Sequence, residues 1–191
     1  MALRKIATIG HPVLRERARE VGREELAGAA MQRLIDDMIE TMRDARGAGI
    51  AATQVHEPVR VCVIEVADNP RYPYKPNWPL TVLVNPVVLP TTDETFLNYE
   101  GCLSVPNLRG EAPRFTRVRV EAWDRHGAAV EFAVAGLTAG TFQHEVDHLD
   151  GTLFVDRVVD TRSLCTWTDF ERFHMTAFVA RAKVLVARFG S

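Results

Sequence analysis

An α+β fold with mostly antiparallel sheet is the class this sequence predicts, on three observations. Strand-like runs come grouped rather than alternating with helices, two of them are joined by a hairpin turn, and amphipathic helical segments stand at either end of the group. The 191 residues suit a single domain spanning 1–191, long enough to bury a sizeable core without cross-links.

The elements follow in chain order. After an N-terminal arm ending near Val21, the stretch from Glu24 to Arg46 sets Leu26, Met31, Leu34, Ile35, Met38, Ile39 and Met42 mostly three and four residues apart, which predicts one helix with a buried face. Gly47 and Gly49 stop it. Val59 to Val66 (VRVCVIEV) has the β-branched, apolar character of a largely buried strand, so the segment GAGIAATQVH before it connects helix to strand. Residues 69–79 carry four prolines and three aromatics, which disfavours a regular element and suggests a loop packed by its own rings. Strands resume at Thr81 to Val84 and Val87 to Leu89, and TTDETFLNYEGC then reads as a turn and a short extended piece. Thr116 to Trp123 and Val130 to Val134 alternate around Asp124 to Gly127, a hairpin turn. Leu137 to Leu149 is helical, with Leu137, Phe142, Val146 and Leu149 near one stripe and Gly151 as its stop. From Ser163 to about Phe189, apolar residues at helical spacing predict a C-terminal helix docked on the body.

Charge and composition narrow the function. Lysine and arginine number 23 against 25 acidic residues, a formal net charge of −2, which gives no bulk attraction for nucleic acid. No apolar run reaches the ~20 residues of a membrane span, and the opening MALRKIATIGHPVLR lacks the apolar core of a secretory signal. Cys62, Cys102 and Cys165 are an odd, widely spaced set that suits a reducing compartment, so a soluble cytoplasmic protein is expected.

The sharpest motif is Gln143-His144-Glu145-Val146-Asp147-His148, inside a segment read as helix on other grounds. Residues i and i+4 lie about 40° apart around a helix and ~6 Å along it, so two imidazoles there can converge on one ion. Glu145 flanks that ion without occupying it, the place for a general base. A catalytic metal needs a third protein ligand, and Glu100-Gly101-Cys102-Leu103-Ser104 offers a cysteine in a tight segment, unless Cys102 is simply a small buried hydrophobe. The run Gly47 to Gln54 (GAGIAATQ) is mostly small residues ending in an amide; it could line a cleft and donate to an oxyanion, or serve packing alone.

Taken together and in this order, these three segments resemble the peptide deformylase family, which is marked by GxGLAAxQ, EGCLS and QHExDHLxG segments in one domain. HPVLR at residues 11–15 also matches the family's usual opening, and the resemblance covers about residues 5–160. It implies an α+β fold with antiparallel strands packed around a central HExxH helix. It further implies Cys102, His144 and His148 as metal ligands, Glu145 as acid and base, and Gln54 with the Leu103 backbone N–H as donors to the formyl oxygen. Gly49, Ile50, Gly101, Arg109 and Leu137 would border the substrate. The activity implied is removal of the formyl group from the N-terminal formylmethionine of nascent polypeptides, with one Fe²⁺ ion per chain, for which Zn²⁺, Ni²⁺ or Co²⁺ could substitute. Formyl-Met nascent peptides would be the partners, with transient ribosome contact, no nucleic-acid specificity and no membrane; the sequence leaves the oligomeric state open.

The match departs from pattern in places. Ile50 replaces a leucine, and Ala48 a larger aliphatic residue. His56 stands where the family has glycine, and suggests that the backbone takes another course after the motif. Around the methionine side-chain pocket, Gly140 replaces a bulky aliphatic residue and is followed by Thr141, and Asn98 is polar where an aliphatic is frequent, so the pocket is expected to be roomier or wetter. Arg109 would hold substrate carbonyls, or pair with Glu100 or Glu111. Residues 153–170 resemble a branch that includes organellar members. His11, His126, His174, Cys62 and Cys165 fit ordinary surface or packing roles. Two other readings are open at this level: a zinc endoprotease, whose third ligand would come from His174 or Glu171, and an idle member that only binds nascent chains or the ribosome.

Overall fold

Two faces of one sheet organise the molecule. The computed structural model describes residues 2–69 and 71–190. In chain order its elements are α1 (Arg23–Ala27), α2 (Ala29–Asp44), β1 (Gly49–Ala51), β2 (Val61–Val66), β3 (Trp78–Pro90), β4 (Thr95–Cys102), β5 (Val105–Phe115), β6 (Arg117–Trp123) and β7 (Ala129–Ala135). They continue with α3 (Gly136–Leu149), α4 (Phe154–Arg157), β8 (Cys165–Thr166), α5 (Trp167–Asp169) and α6 (Met175–Phe189). One sheet has five strands in the order β1-β2-β3-β6-β7, the other three in the order β4-β5-β8, and every pairing between these strands is antiparallel.

Strand β2 shows why its sequence is apolar at nearly every position. Val61 and Val63 pack toward α2 with Leu34, Ile35 and Met38, whereas Cys62 and Ile64 join Phe142 and Leu149 of α3. Successive side chains point to opposite faces, and here both faces are covered, so alternation disappears from the sequence. Helix α3 is therefore central: it packs against β1, β2 and β3 on one side and β5 on the other, with α6 also in contact. The hairpin at Asp124 to Gly127 pairs β6 with β7 from Arg117↔Ala135 to Trp123↔Ala129, as the alternation predicts.

Several elements differ from expectation. The single helix expected over Glu24 to Arg46 is two, because Gly28 takes an extended conformation (φ −69°, ψ 143°) between α1 and α2. The two strands expected over 81–89 are one long β3 that begins at Trp78 and whose register shifts between Val84 and Val87. Strand β5 was not anticipated at all: Pro106, Gly110 and Pro113 hide it. It pairs with β4 along its length, and β8 meets it only at Leu108 and Arg109, so most of its outer edge is open, where proline is tolerated. The C-terminal helix begins only at Trp167, after β8, and passes through a wider turn over Phe170–His174 before α6. His56 does not redirect the backbone. It adopts the left-handed conformation itself (φ 67°, ψ 18°), the one a glycine would favour, and its ring meets His11 edge-on at 4.7 Å. Rings do pack the 69–79 loop, Tyr72 against Tyr74 and Trp167, and Tyr74 against Phe178, with residue 70 outside the described set. No described helix is long and apolar enough to cross a membrane.

Candidate metal centre and its cleft

Cys102 closes β4 at the point where pairing with β5 shifts register, between Gly101 and Cys102, and this irregularity turns the thiol toward α3. There His144 and His148, one turn apart, present their rings at 5.0 Å and 81°. One ligand atom from each of Cys102, His144 and His148 lies within 4.8 Å of the others, and Cys102 Sγ stands 3.2 Å from His148 Nε2. These residues form the one such cluster among the described residues. His174 instead stacks on Tyr99, and Glu171 accepts from Trp167 Nε1, so neither completes the site as the endoprotease reading required.

The donor set fits a borderline divalent ion. One sulfur and two imidazoles suit iron, zinc, nickel or cobalt and leave room for further ligands. A buried polar atom beside it, Glu145 Oε2, has no partner among the described residues, which is the unsatisfied capacity a ligand site presents. Electrostatics agree. Burial lowers the His148 pKa well below its ordinary value, which keeps its ring neutral and able to donate. Burial works the same way on His144, but its contacts with Cys102 and Glu100 outweigh it and raise that ring.

Behind the ligands lies a buried ionic chain that sequence reading missed. His144 Nδ1 meets Glu100 Oε2 at 2.7 Å; Arg114 donates to both Glu100 oxygens at 2.7 and 2.9 Å and to Asp147 Oδ2 at 2.6 Å; Arg157 donates to Asp147 from the outer side at 2.7 Å. Burial alone would raise the Glu100 pKa, but Arg114 and His144 outweigh it and hold the carboxyl well below its usual range. Glu100 therefore stays an anion that fixes the orientation of His144, the role a carboxylate behind a ligating histidine performs. A carboxylate two residues before a candidate cysteine ligand and an arginine at alternate-strand distance were signals available in the sequence, but only pairing of β4 with β5 brings them together.

Glu145 is buried on the cleft side of α3, and burial raises its pKa to about 7, partly opposed by His144 and Lys75. Such a value suits proton exchange near neutrality. Gly49 of β1 makes its position possible: a Cβ there would fall 2.5 Å from Glu145 Oε1 and 2.7 Å from its Cγ. Gln54 reaches the site from the 3₁₀ turn after β1. Its Oε1 accepts from Ala51 N at 2.9 Å, which leaves Nε2 aimed at Ser104 Oγ (3.0 Å) and Cys102 Sγ (3.5 Å). Leu103 and Gly101 also border the cleft, which encloses about 530 Å³ counting its open mouth. Ile50 and Leu137 are both buried, and neither lines it.

Arg109 lines the cleft and pairs with neither Glu100 nor Glu111. Its Nη2 donates to Tyr99 O at 2.7 Å and Tyr74 Oη at 3.3 Å, its guanidinium lies 4.2 Å from the Phe170 ring centre, and Nε and Nη1 are buried without partners among the described residues. Glu111 is taken by Arg181 of α6. Lys75 sits across the cleft, donating to Thr141 Oγ1 at 2.9 Å; burial lowers its pKa to about 8, against the pull of Glu100 and Glu145. Cys62 is buried in β2, its thiol pushed well up by burial, as packing requires. Cys165 lies 3.6 Å from Tyr99 Oη, away from the site.

Known proteins match most of this chain. The family model described as polypeptide deformylase matches residues 3–163. "Peptide deformylase 2" of Nostoc is 40% identical over 166 residues, 87% of this chain and 92% of its own. "Peptide deformylase 1A, chloroplastic/mitochondrial" of Arabidopsis thaliana is 41% identical over 168 residues, 82% of this chain and 62% of its own. Among solved structures, the class I type b peptide deformylase of Acinetobacter baumannii with Met-Ala-Ser bound superposes with a TM-score of 0.79 at 40% identity, over 82% of this chain and 99% of that one. The enzyme from Thermotoga maritima gives 0.74 at 34% identity, over 84% of this chain and 100% of that one. With three candidate ligand side chains converging and relatives of this closeness along most of its length, the chain belongs to the peptide deformylase family, metal-dependent hydrolases that remove the N-formyl group from nascent polypeptides.

Proposed function

We propose that residues 1–191 act as one catalytic domain in which Cys102, His144 and His148 hold a single Fe²⁺ ion, replaceable by Zn²⁺, Ni²⁺ or Co²⁺, and Glu145 moves the protons of formyl-Met hydrolysis. The observation that carries this reading is the convergence of those three side chains beside a buried carboxylate with an unpartnered oxygen. When bound, the ion supplies Lewis acidity, lowering the pKa of a water toward neutrality and polarising the formyl group. Glu145 takes a proton from the attacking water and delivers it to the leaving amine, which its pKa of about 7 permits in both directions. Gln54 Nε2 and the Leu103 N–H donate to the formyl oxygen as it gains charge. Gly49 and Gly101 keep the cleft walls close, and Arg109 offers its free N–H groups to substrate carbonyls. Formate and a peptide with a free N-terminal methionine result.

The Acinetobacter relative, with Met-Ala-Ser bound, supports a peptide of this kind as ligand. The reading places the chain in the cytoplasm, meeting nascent peptides by transient contact with the ribosome. One experiment tests it: iron-loaded protein kept under anaerobic conditions, with formate release from formyl-Met-Ala-Ser and metal content measured for wild type, C102A and E145Q. E145Q should keep its iron and lose turnover by at least a hundredfold; C102A should lose iron. An E145Q protein that is metal-loaded and still turns over near the wild-type rate would refute the proton role.

A further inference from the structure

The cleft continues from the metal centre along α3, and the surface it meets there is made of hydrogen-bonding groups. One turn before His144, the helix presents Gly140 and Thr141. The space a side chain at Gly140 would need is taken by the opposite strand: a Cβ there would stand 3.2 Å from Asn98 Nδ2 and 3.3 Å from Phe96 Cζ. The carboxamide of Asn98, held by donation to Glu100 Oε1 at 3.0 Å, therefore forms that wall. Lys75 closes the other side. Its ammonium carries three donors, of which one goes to Thr141 Oγ1 and none to a carboxylate; among the described residues Lys75 makes no ion pair, and its remaining polar contact is the face of Tyr72 at 5.1 Å. Thr141 is in turn committed, donating to Leu137 O at 3.3 Å.

A half-buried ammonium with spare donors costs free energy unless something accepts from it, and a thioether is a poor acceptor. We propose that this subsite, formed by Lys75, Thr141, Asn98 and Gly140, selects formylated substrates whose first side chain ends in a hydrogen-bond acceptor (carboxylate, carboxamide or sulfoxide) over purely apolar ones. The inference rests on the deformylase reading, because a formyl group held at Gln54 and Glu145 directs the neighbouring side chain along α3 into this space.

The test compares kcat/KM for formyl-X-Ala-Ser peptides with X as glutamate, glutamine, methionine sulfoxide, methionine and norleucine, in iron-loaded wild type, K75M and T141V. At least one acceptor-tipped peptide should exceed norleucine by about tenfold, mainly through KM, as expected for a donor left unpaired by the wrong substrate. K75M should collapse that ratio toward one, and T141V should reduce it by freeing the ammonium from its anchor. The identity of the best substrate tells a carboxylate from a neutral acceptor. Norleucine equalling every acceptor-tipped peptide in wild type overturns the assignment, as does a ratio unchanged in both variants. Absence of formate release from all five peptides would instead overturn the deformylase reading, and this subsite with it.

Discussion

Replacing Arg114 by methionine removes the link between the metal centre and the helix that carries it. Arg114 is 3% exposed and pairs with two carboxylates, making two hydrogen bonds to Glu100 and one to Asp147. Removing one member of a buried ion pair costs about 3–5 kcal/mol, because the partner charge is left without compensation. Here the loss falls at the lower end, about 3 kcal/mol, since Asp147 keeps Arg157 while Glu100 keeps Asn98 and His144. Against a total stability of about 5–15 kcal/mol for a domain, this is a large fraction. Guanidinium unfolding of wild type, R114M, E100Q and R114M/E100Q at neutral pH, with chelator present so that metal binding does not contribute, gives a double-mutant cycle. The double variant should lose clearly less than the sum of the singles, because it buries no unpaired charge at position 100. Loss of under about 1 kcal/mol in R114M, or additive singles, would refute the claim that this ionic chain supports the centre.

Three further outcomes are expected. G49A should lower kcat at least tenfold with metal content unchanged, since the new methyl occupies the place of the Glu145 side chain; wild-type turnover would show that the glycine does not make room for it. Q54A should lower kcat by about a hundredfold or more, the loss of one oxyanion donor worth ~2.7–4 kcal/mol, while iron content stays stoichiometric; a change confined to KM would remove Gln54 from that role. H56G should stabilise the protein by about 0.5 kcal/mol, the left-handed strain of about 1–2 kcal/mol being offset by the greater freedom of glycine in the unfolded chain. Chemical denaturation reads this directly, and destabilisation would mean that the ring contact of His56 with His11 outweighs the strain.

Local chemistry made much of this protein legible in its sequence. The helix carrying His144, Glu145 and His148 follows from its own spacing and from Gly151, which adopts φ +72° after it; the hairpin at Asp124 to Gly127 and the buried β2 follow from alternation and its absence. Each of the three motifs is a short contiguous run, and their order along the chain pointed to the family. What local pattern cannot express is pairing between distant segments. Strand β5 is recognisable only once β4 lies beside it, and its prolines and glycine conceal it until then. That same pairing sets Arg114 against Glu100, and the register shift at its end turns Cys102 toward two imidazoles more than forty residues away. Lys75 reaches Thr141 from a proline-rich loop with no periodicity to read. Single-residue conformational preference and helical spacing were written in the chain, whereas the burial, charge compensation and metal geometry that make the site work arise only where separate strands and one helix exclude water together.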